Sequence, residues 1–130
     1  MYFEDLSDYS YHPDGLGENV KNIGWLCKGE DYNVSENPHV ELAEKLLSKW
    51  HGRVVKTRGF HYCDLCETSG LVKVTNELGQ NFNLGSAEFR VPSMGSDTLY
   101  AAPDLIIHYI LEHNYSPPQD FCDSVLSMQA

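Results

Sequence analysis

Apolar residues recur at helical spacing in three stretches of the chain. The first begins after Asn37 and Pro38, because asparagine caps helices and proline fits the first helical turn, and it runs to Trp50. The second opens at Pro103–Asp104 and continues to about His113; it is apolar almost all round, which favours deep burial. A short third helix starts at Pro118 or Gln119, with Cys122 on its apolar side as a small core residue.

Short runs of alternating or β-branched residues predict strands between these helices. An extended piece spans residues 22–27, and strands are expected at 53–58, 71–75, 86–91 and 99–101. Residues 1–22 are rich in aromatic side chains, which favours an irregular segment laid over the body. The pattern predicts an α+β fold, with a small antiparallel sheet, one buried helix and two flanking helices. The length of 130 residues predicts a single domain, 1–130.

Two cysteines three positions apart, Cys63 and Cys66, form the most informative local motif. Such a pair can close a tight turn, a zinc knuckle, around one tetrahedral metal ion. His61 precedes them on an extended segment, so it projects on the same side as Cys63 and is a third local candidate.

Two histidines on the second helix, His108 and His113, are candidates for the remaining ligands. They lie five positions apart, a rotation of roughly 500° on an ideal helix, so they share no face. They can converge only if the helix loosens near His113, which Asn114 and Pro117 permit. The alternative for each imidazole is a core hydrogen bond to a backbone carbonyl. The predicted zinc site therefore comprises Cys63, Cys66, His108 and His113, with His61 and Cys27 in reserve.

Other chemistry for the cysteine pair is less favoured. A dithiol redox pair needs a helix N-terminus to lower its thiol pKa, whereas a turn follows Cys66, and Asp64 and Glu67 oppose thiolate formation. A zinc deaminase needs a Glu two residues after its His ligand and a Pro before its first Cys, and neither occurs near Cys63. No phosphate loop, nucleophile elbow or HExxH motif is present, so we expect no enzyme activity.

The formal net charge of −10, from 19 acids and 9 bases, changes the choice of partners. An acidic surface repels phosphate, so nucleic acid and anionic membranes are poor partners, while a basic protein would be attracted. The alternative explanation is that the negative charge serves only to keep the protein soluble. The chain starts without a secretory signal and has no apolar run that could cross a bilayer, so we expect a cytoplasmic protein with reduced thiols.

Four sequence blocks carry a resemblance that spans nearly the whole chain. The specific ones are residues 58–66, containing GFHYCDLC, and residues 100–118, containing YAAPDLIIHYI and HNYSPP; residues 22–26 and 85–91 add to them. The chain resembles a family of small uncharacterised bacterial proteins, a domain of unknown function. The resemblance implies a cytoplasmic domain with a CxxC-and-His centre. Its shared positions are His61, Cys63, Cys66, His108 and His113, whereas Cys27 stands where an acidic residue is commoner.

Three functions remain open at this level. The favoured one is a non-enzymatic acidic protein that binds and blocks a basic protein, most concretely an immunity protein neutralising a secreted bacterial toxin. The first alternative is a zinc-stabilised structural or interaction domain, and the second is a thiol- or zinc-dependent enzyme. An enzyme would need an open coordination position and a cleft.

Overall fold

The fold combines helices with small sheets in the computed structural model, which describes residues 2–9, 19–56, 60–66 and 70–128. Within these ranges it has three α-helices, one 3-10 turn and five strands, so the predicted α+β class is confirmed. In chain order they are β1 Val20–Asn22, α1 Val40–Leu47, the 3-10 turn Trp50–Gly52, β2 Val72–Thr75, β3 Asn81–Leu84, β4 Glu88–Pro92, β5 Leu99–Pro103, α2 Ile106–Glu112 and α3 Gln119–Ser127.

The larger sheet is three-stranded, in the order β1-β5-β4. β4 pairs antiparallel with β5, placing Glu88 opposite Pro103. β1 pairs parallel with β5, placing Val20 opposite Leu99. The predicted small antiparallel sheet is thus present in part, and the parallel pair β1–β5 departs from that prediction. A long connection through most of the chain separates β1 from β5, and such a connection permits parallel pairing.

The second sheet is the antiparallel hairpin β2–β3. The prediction of a strand at 71–75 is confirmed, but β3 was missed, because the sequence of Asn81–Leu84 is half polar and reads as loop. The strand expected at 53–58 is reduced to one bridge between Val54 and Glu88, and positions 57–58 lie outside the described residues.

The helices meet in a core beneath the sheets. Ile106, Ile107 and Ile110 are fully buried, which confirms that the second predicted helix is the central one. It begins three residues later than Pro103, because Pro103 ends β5. In α1 the cap is His39, whose Nδ1 accepts a hydrogen bond from the Leu42 N–H at 3.3 Å, so the expected Asn37 cap is wrong.

Residues 2–9 lie over the body of the domain, as predicted for the segment 1–22. Residues 20–22 of that segment form strand β1 instead, and residues 1 and 10–18 lie outside the described ranges. Phe3 bridges Trp25, with their ring centroids 5.4 Å apart. Asp5 accepts hydrogen bonds from the Tyr115 hydroxyl at 2.6 Å and the Gly24 N–H at 2.9 Å. Cys122 is 6% exposed, which confirms it as a core residue. Among the described residues, no helix combines the length and apolar character needed to cross a membrane.

Candidate metal centre

Four side chains from two distant parts of the chain converge at one end of α2. The Sγ of Cys66 lies 3.2 Å from His108 Nε2 and 3.4 Å from His113 Nε2. The Sγ of Cys63 lies 3.4 Å from the same His113 nitrogen. The four donor atoms all lie within 4.8 Å of one another. The structure thus brings together the four residues that the sequence proposed as the ligand set.

The cysteine turn is held in place by a close backbone contact with the turn between β3 and β4. The His61 N–H donates to the Gly85 carbonyl at 2.8 Å. A Cβ at position 85 would overlap the His61 carbonyl oxygen, and Gly85 has a φ of +106°. Only glycine satisfies both conditions without strain. This contact fixes the segment two residues before Cys63, and so the position of the first thiol.

The histidines meet because α2 ends between them. Glu112 is the last helical residue, and His113 has φ −121° and ψ 10°. Asn114 follows with a φ of +54°, and the Tyr115 N–H donates to the Tyr109 carbonyl at 3.0 Å. This loosened end turns His113 back, so that the two imidazole centroids are 5.0 Å apart. The expected loosening near His113 is confirmed.

Burial shapes the acid–base chemistry of the cluster. It raises the pKa of the Cys63 thiol to about 11, because the thiolate loses its hydration. Burial lowers the pKa of His108, and the neighbouring His113 lowers it further. A neutral imidazole is the metal-binding form, and a bound dication would itself deprotonate the thiols.

The donor set and its spacing fit zinc. Zn–S distances of about 2.3 Å and Zn–N distances of about 2.0 Å place tetrahedral ligand atoms roughly 3.3 to 3.8 Å apart. The three sulfur–nitrogen contacts of 3.2 to 3.4 Å lie at the short end of that range. Separations up to 4.8 Å require only small side-chain rotations to close. Binding of an ion by these four residues stays a prediction.

Comparison with known protein families identifies the family of this chain. Residues 1–126 match a domain of unknown function (DUF7919). The chain belongs to this family. The resemblance inferred from sequence is confirmed at that level, whereas the sequence blocks behind it stay a prediction. No curated protein and no solved structure matches the chain.

The two reserve ligands of this DUF7919 chain lie outside the cluster that the described residues form. The His61 side chain is exposed, although its backbone holds Gly85. The Cys27 thiol donates to Asp64 Oδ2 at 3.4 Å, and this hydrogen bond is the main cause of its raised pKa. Cys27 therefore lies near the cysteine turn without joining it.

Beside the centre lies a cavity of about 120 Å³ that sequence reasoning missed. Its lining includes Asp64, which lies between the two cysteines in sequence, and Tyr109, which lies between the two histidines. The buried acids Glu88 and Asp104 also line it. Both buried acids are ion-paired, Asp104 with Arg53 and Glu88 with Arg90, each at 2.7 Å. A charged residue inside an alternating strand, such as Glu88, is the sequence signal that could have indicated this cavity.

Proposed function

We propose that Cys63, Cys66, His108 and His113 hold one Zn²⁺ in a closed structural centre, which stabilises a non-enzymatic binding domain. The observation that carries the proposal is the clustering of four donor atoms of the right chemistry within 4.8 Å. Four protein ligands complete a tetrahedral shell and leave no position for a reacting water, the arrangement typical of structural rather than catalytic zinc.

A redox role for the cysteine pair has less support. Redox-active CxxC pairs are activated by a helix N-terminus. Here residues 64–66 form a turn, and among the described residues the next regular element is strand β2. Each sulfur also lies within 3.4 Å of an imidazole nitrogen. Two histidines beside two thiols favour metal binding over disulfide exchange.

Metal content tests the zinc proposal directly. We expect one zinc per chain in the purified protein by elemental analysis. Cys63→Ser should lower the zinc content and reduce the free energy of unfolding by about 3 kcal/mol or more, because metal binding contributes directly to folding.

Cys27→Ser is the matched control, since Cys27 is also a free cysteine near the turn but lies outside the cluster. It should keep both zinc and stability. A parent protein that contains no zinc and melts together with Cys63→Ser contradicts the proposal.

A second function, binding of a basic protein, is favoured by the distribution of charge. The chain carries a net charge of −10. Among the described residues, Asp8, Glu88 and Asp104 form ion pairs. Four other acids lie exposed within a short stretch around the start of α1: Glu30, Asp31, Glu36 and Glu41. We call these four residues the acidic segment.

In its most concrete form, this second proposal makes the protein a cytoplasmic immunity protein that blocks a basic toxin domain. The partner to test is a basic protein encoded by a neighbouring gene. Reversing Glu30, Asp31 and Glu36 to Lys should slow association at low salt about tenfold or more, because complementary charge mainly accelerates encounter.

A charge-matched control places the same three reversals at scattered exposed acids, Glu77, Asp97 and Asp123. This control should slow association much less. Equal association rates for the parent and the acidic-segment variant, measured by stopped flow at low salt, would exclude this surface as the binding site.

A further inference from the structure

The cavity beside the metal centre has the shape of a small ligand site. Its volume is about 120 Å³. Trp25, Tyr62 and Tyr109 contribute aromatic walls, and Leu26 and Leu105 contribute aliphatic ones. Tyr62 is 56% exposed, which places one wall at the mouth. A space of this size takes a small polar head with part of an apolar stem.

One carboxylate oxygen of a cavity-lining residue is closed to solvent and has no hydrogen-bond partner among the described residues. Glu88 is 2% exposed, and its Oε1 accepts hydrogen bonds from Arg90 and from the Tyr9 hydroxyl. Its Oε2 has no hydrogen-bond partner among the described residues. Glu88 and Pro103 are register partners, so their side chains share one face of the sheet, and both line the cavity. An unsatisfied buried acceptor costs stability, and a ligand donor would offset that cost.

The charges around the cavity favour a cation. Three carboxylates line it, those of Asp64, Glu88 and Asp104. Two of them are balanced by Arg53 and Arg90, so one negative charge, on the exposed Asp64, remains. Aromatic walls add to the attraction, because the face of an aromatic ring is electronegative.

Backbone strain in the cavity lining is a further feature of this site. Val55 lines the cavity with a φ of +53°. A β-branched residue in this region is a genuine outlier, and such strain is concentrated at binding sites.

We propose that the cavity receives the cationic head of a basic side chain, an alkylguanidinium or alkylammonium, whose stem packs on the aromatic walls. The head donates to Glu88 Oε2 when the Glu88 side chain rotates toward the cavity. The inference rests on the proposed binding of a basic protein: the acidic segment attracts that protein, and the cavity anchors one of its side chains. A buried, oriented contact of this kind gives an interface much of its affinity.

Titration with n-butylguanidinium, followed by amide NMR of the full-length zinc-loaded protein, tests the cavity without the partner. A probe of this size should bind with a dissociation constant on the order of 1 mM. The shifts should be confined to cavity residues such as Leu26, Leu105 and Tyr109. The isosteric but uncharged n-butylurea should bind at least about tenfold more weakly.

Two variants and one control separate the ligand contact from a folding defect. Glu88→Gln should weaken probe binding about tenfold, whereas Glu112→Gln, an exposed acid on α2, should leave it unchanged. Ser86→Leu adds bulk to the lining without altering charge, and it should block the probe. Dispersed amide spectra must show that each variant is folded.

The proposal is overturned if n-butylguanidinium causes no shifts at the cavity residues, or if it binds no better than n-butylurea. That result leaves the salt-dependent association through the acidic segment standing. Conversely, failure of the basic protein to associate with the parent protein, while the probe still binds, is the opposite result. That result would contradict the proposed binding of a basic protein and leave the cavity as a cation site.

Discussion

Single residues decide where the candidate ligands stand, and Gly85 is the clearest case. It has no ligand atom, yet its backbone contact with His61 positions the segment that leads into Cys63. The ligands themselves could be proposed from sequence, because CxxC and paired histidines are chemically distinctive. The role of Gly85 could not be predicted, because no sequence pattern shows that a glycine in a turn between strands contacts another backbone segment closely.

Gly85→Ala is therefore expected to harm both the fold and the metal centre. The added Cβ overlaps the His61 carbonyl oxygen at a φ of +106°. We expect a loss on the order of 3 kcal/mol in the free energy of unfolding, together with weaker zinc binding by competition with a chromophoric chelator.

Gly79→Ala supplies the control for this prediction. Gly79 has a φ of +82° but no atom within 4 Å of an added Cβ, so only the conformational cost of about 1 kcal/mol remains. Equal losses for the two variants would show that the contact with His61 does not matter.

At the scale of elements, the end of α2 could be predicted from the sequence, whereas the pairing of the strands could not. The angular separation of His108 and His113 required a break, and Asn114 and Pro117 marked its place. By contrast, the parallel pairing of β1 with β5 joins segments almost eighty positions apart, which local periodicity cannot detect. Strand β3 was not predicted, because its two exposed asparagines make the short alternating segment resemble a polar loop.

The N-terminal segment is attached to the end of α2 through Asp5, and this attachment should depend on pH. Burial raises the pKa of Asp5 above its ordinary 3.8, outweighing the hydrogen bonds from Tyr115 and Gly24. The folded protein then binds more protons than the unfolded chain between the two pKa values, so the stability that Asp5 contributes falls as the pH rises through this window.

Asp5→Asn should remove this dependence. The parent's free energy of unfolding, minus that of the variant, should decrease from pH 4 to pH 7, by at most about 1.4 kcal/mol per pH unit. Urea denaturation at fixed zinc concentration measures it, and effects common to both proteins cancel in the difference. Glu4→Gln, an exposed neighbour, should give a flat difference, and a flat result for Asp5→Asn as well would refute the assignment.

For the whole molecule, the sequence supports the fold class and the family, while the arrangement of charge needs the structure. Composition gave the net charge of −10, but not that Glu88 and Asp104 are buried with arginines or that the acidic segment is exposed. The cavity likewise depends on side chains from five separate parts of the chain, so no local motif could mark it.

The convergence of the four candidate ligands at the loosened end of α2 has a consequence for how the chain folds. Under the proposed zinc occupancy, the ion cross-links segments 42 to 50 positions apart. Closing a loop of that length costs entropy before any contact compensates for it. If the ion offsets that entropy, the fraction of newly synthesised chains that is folded would rise with the free zinc concentration.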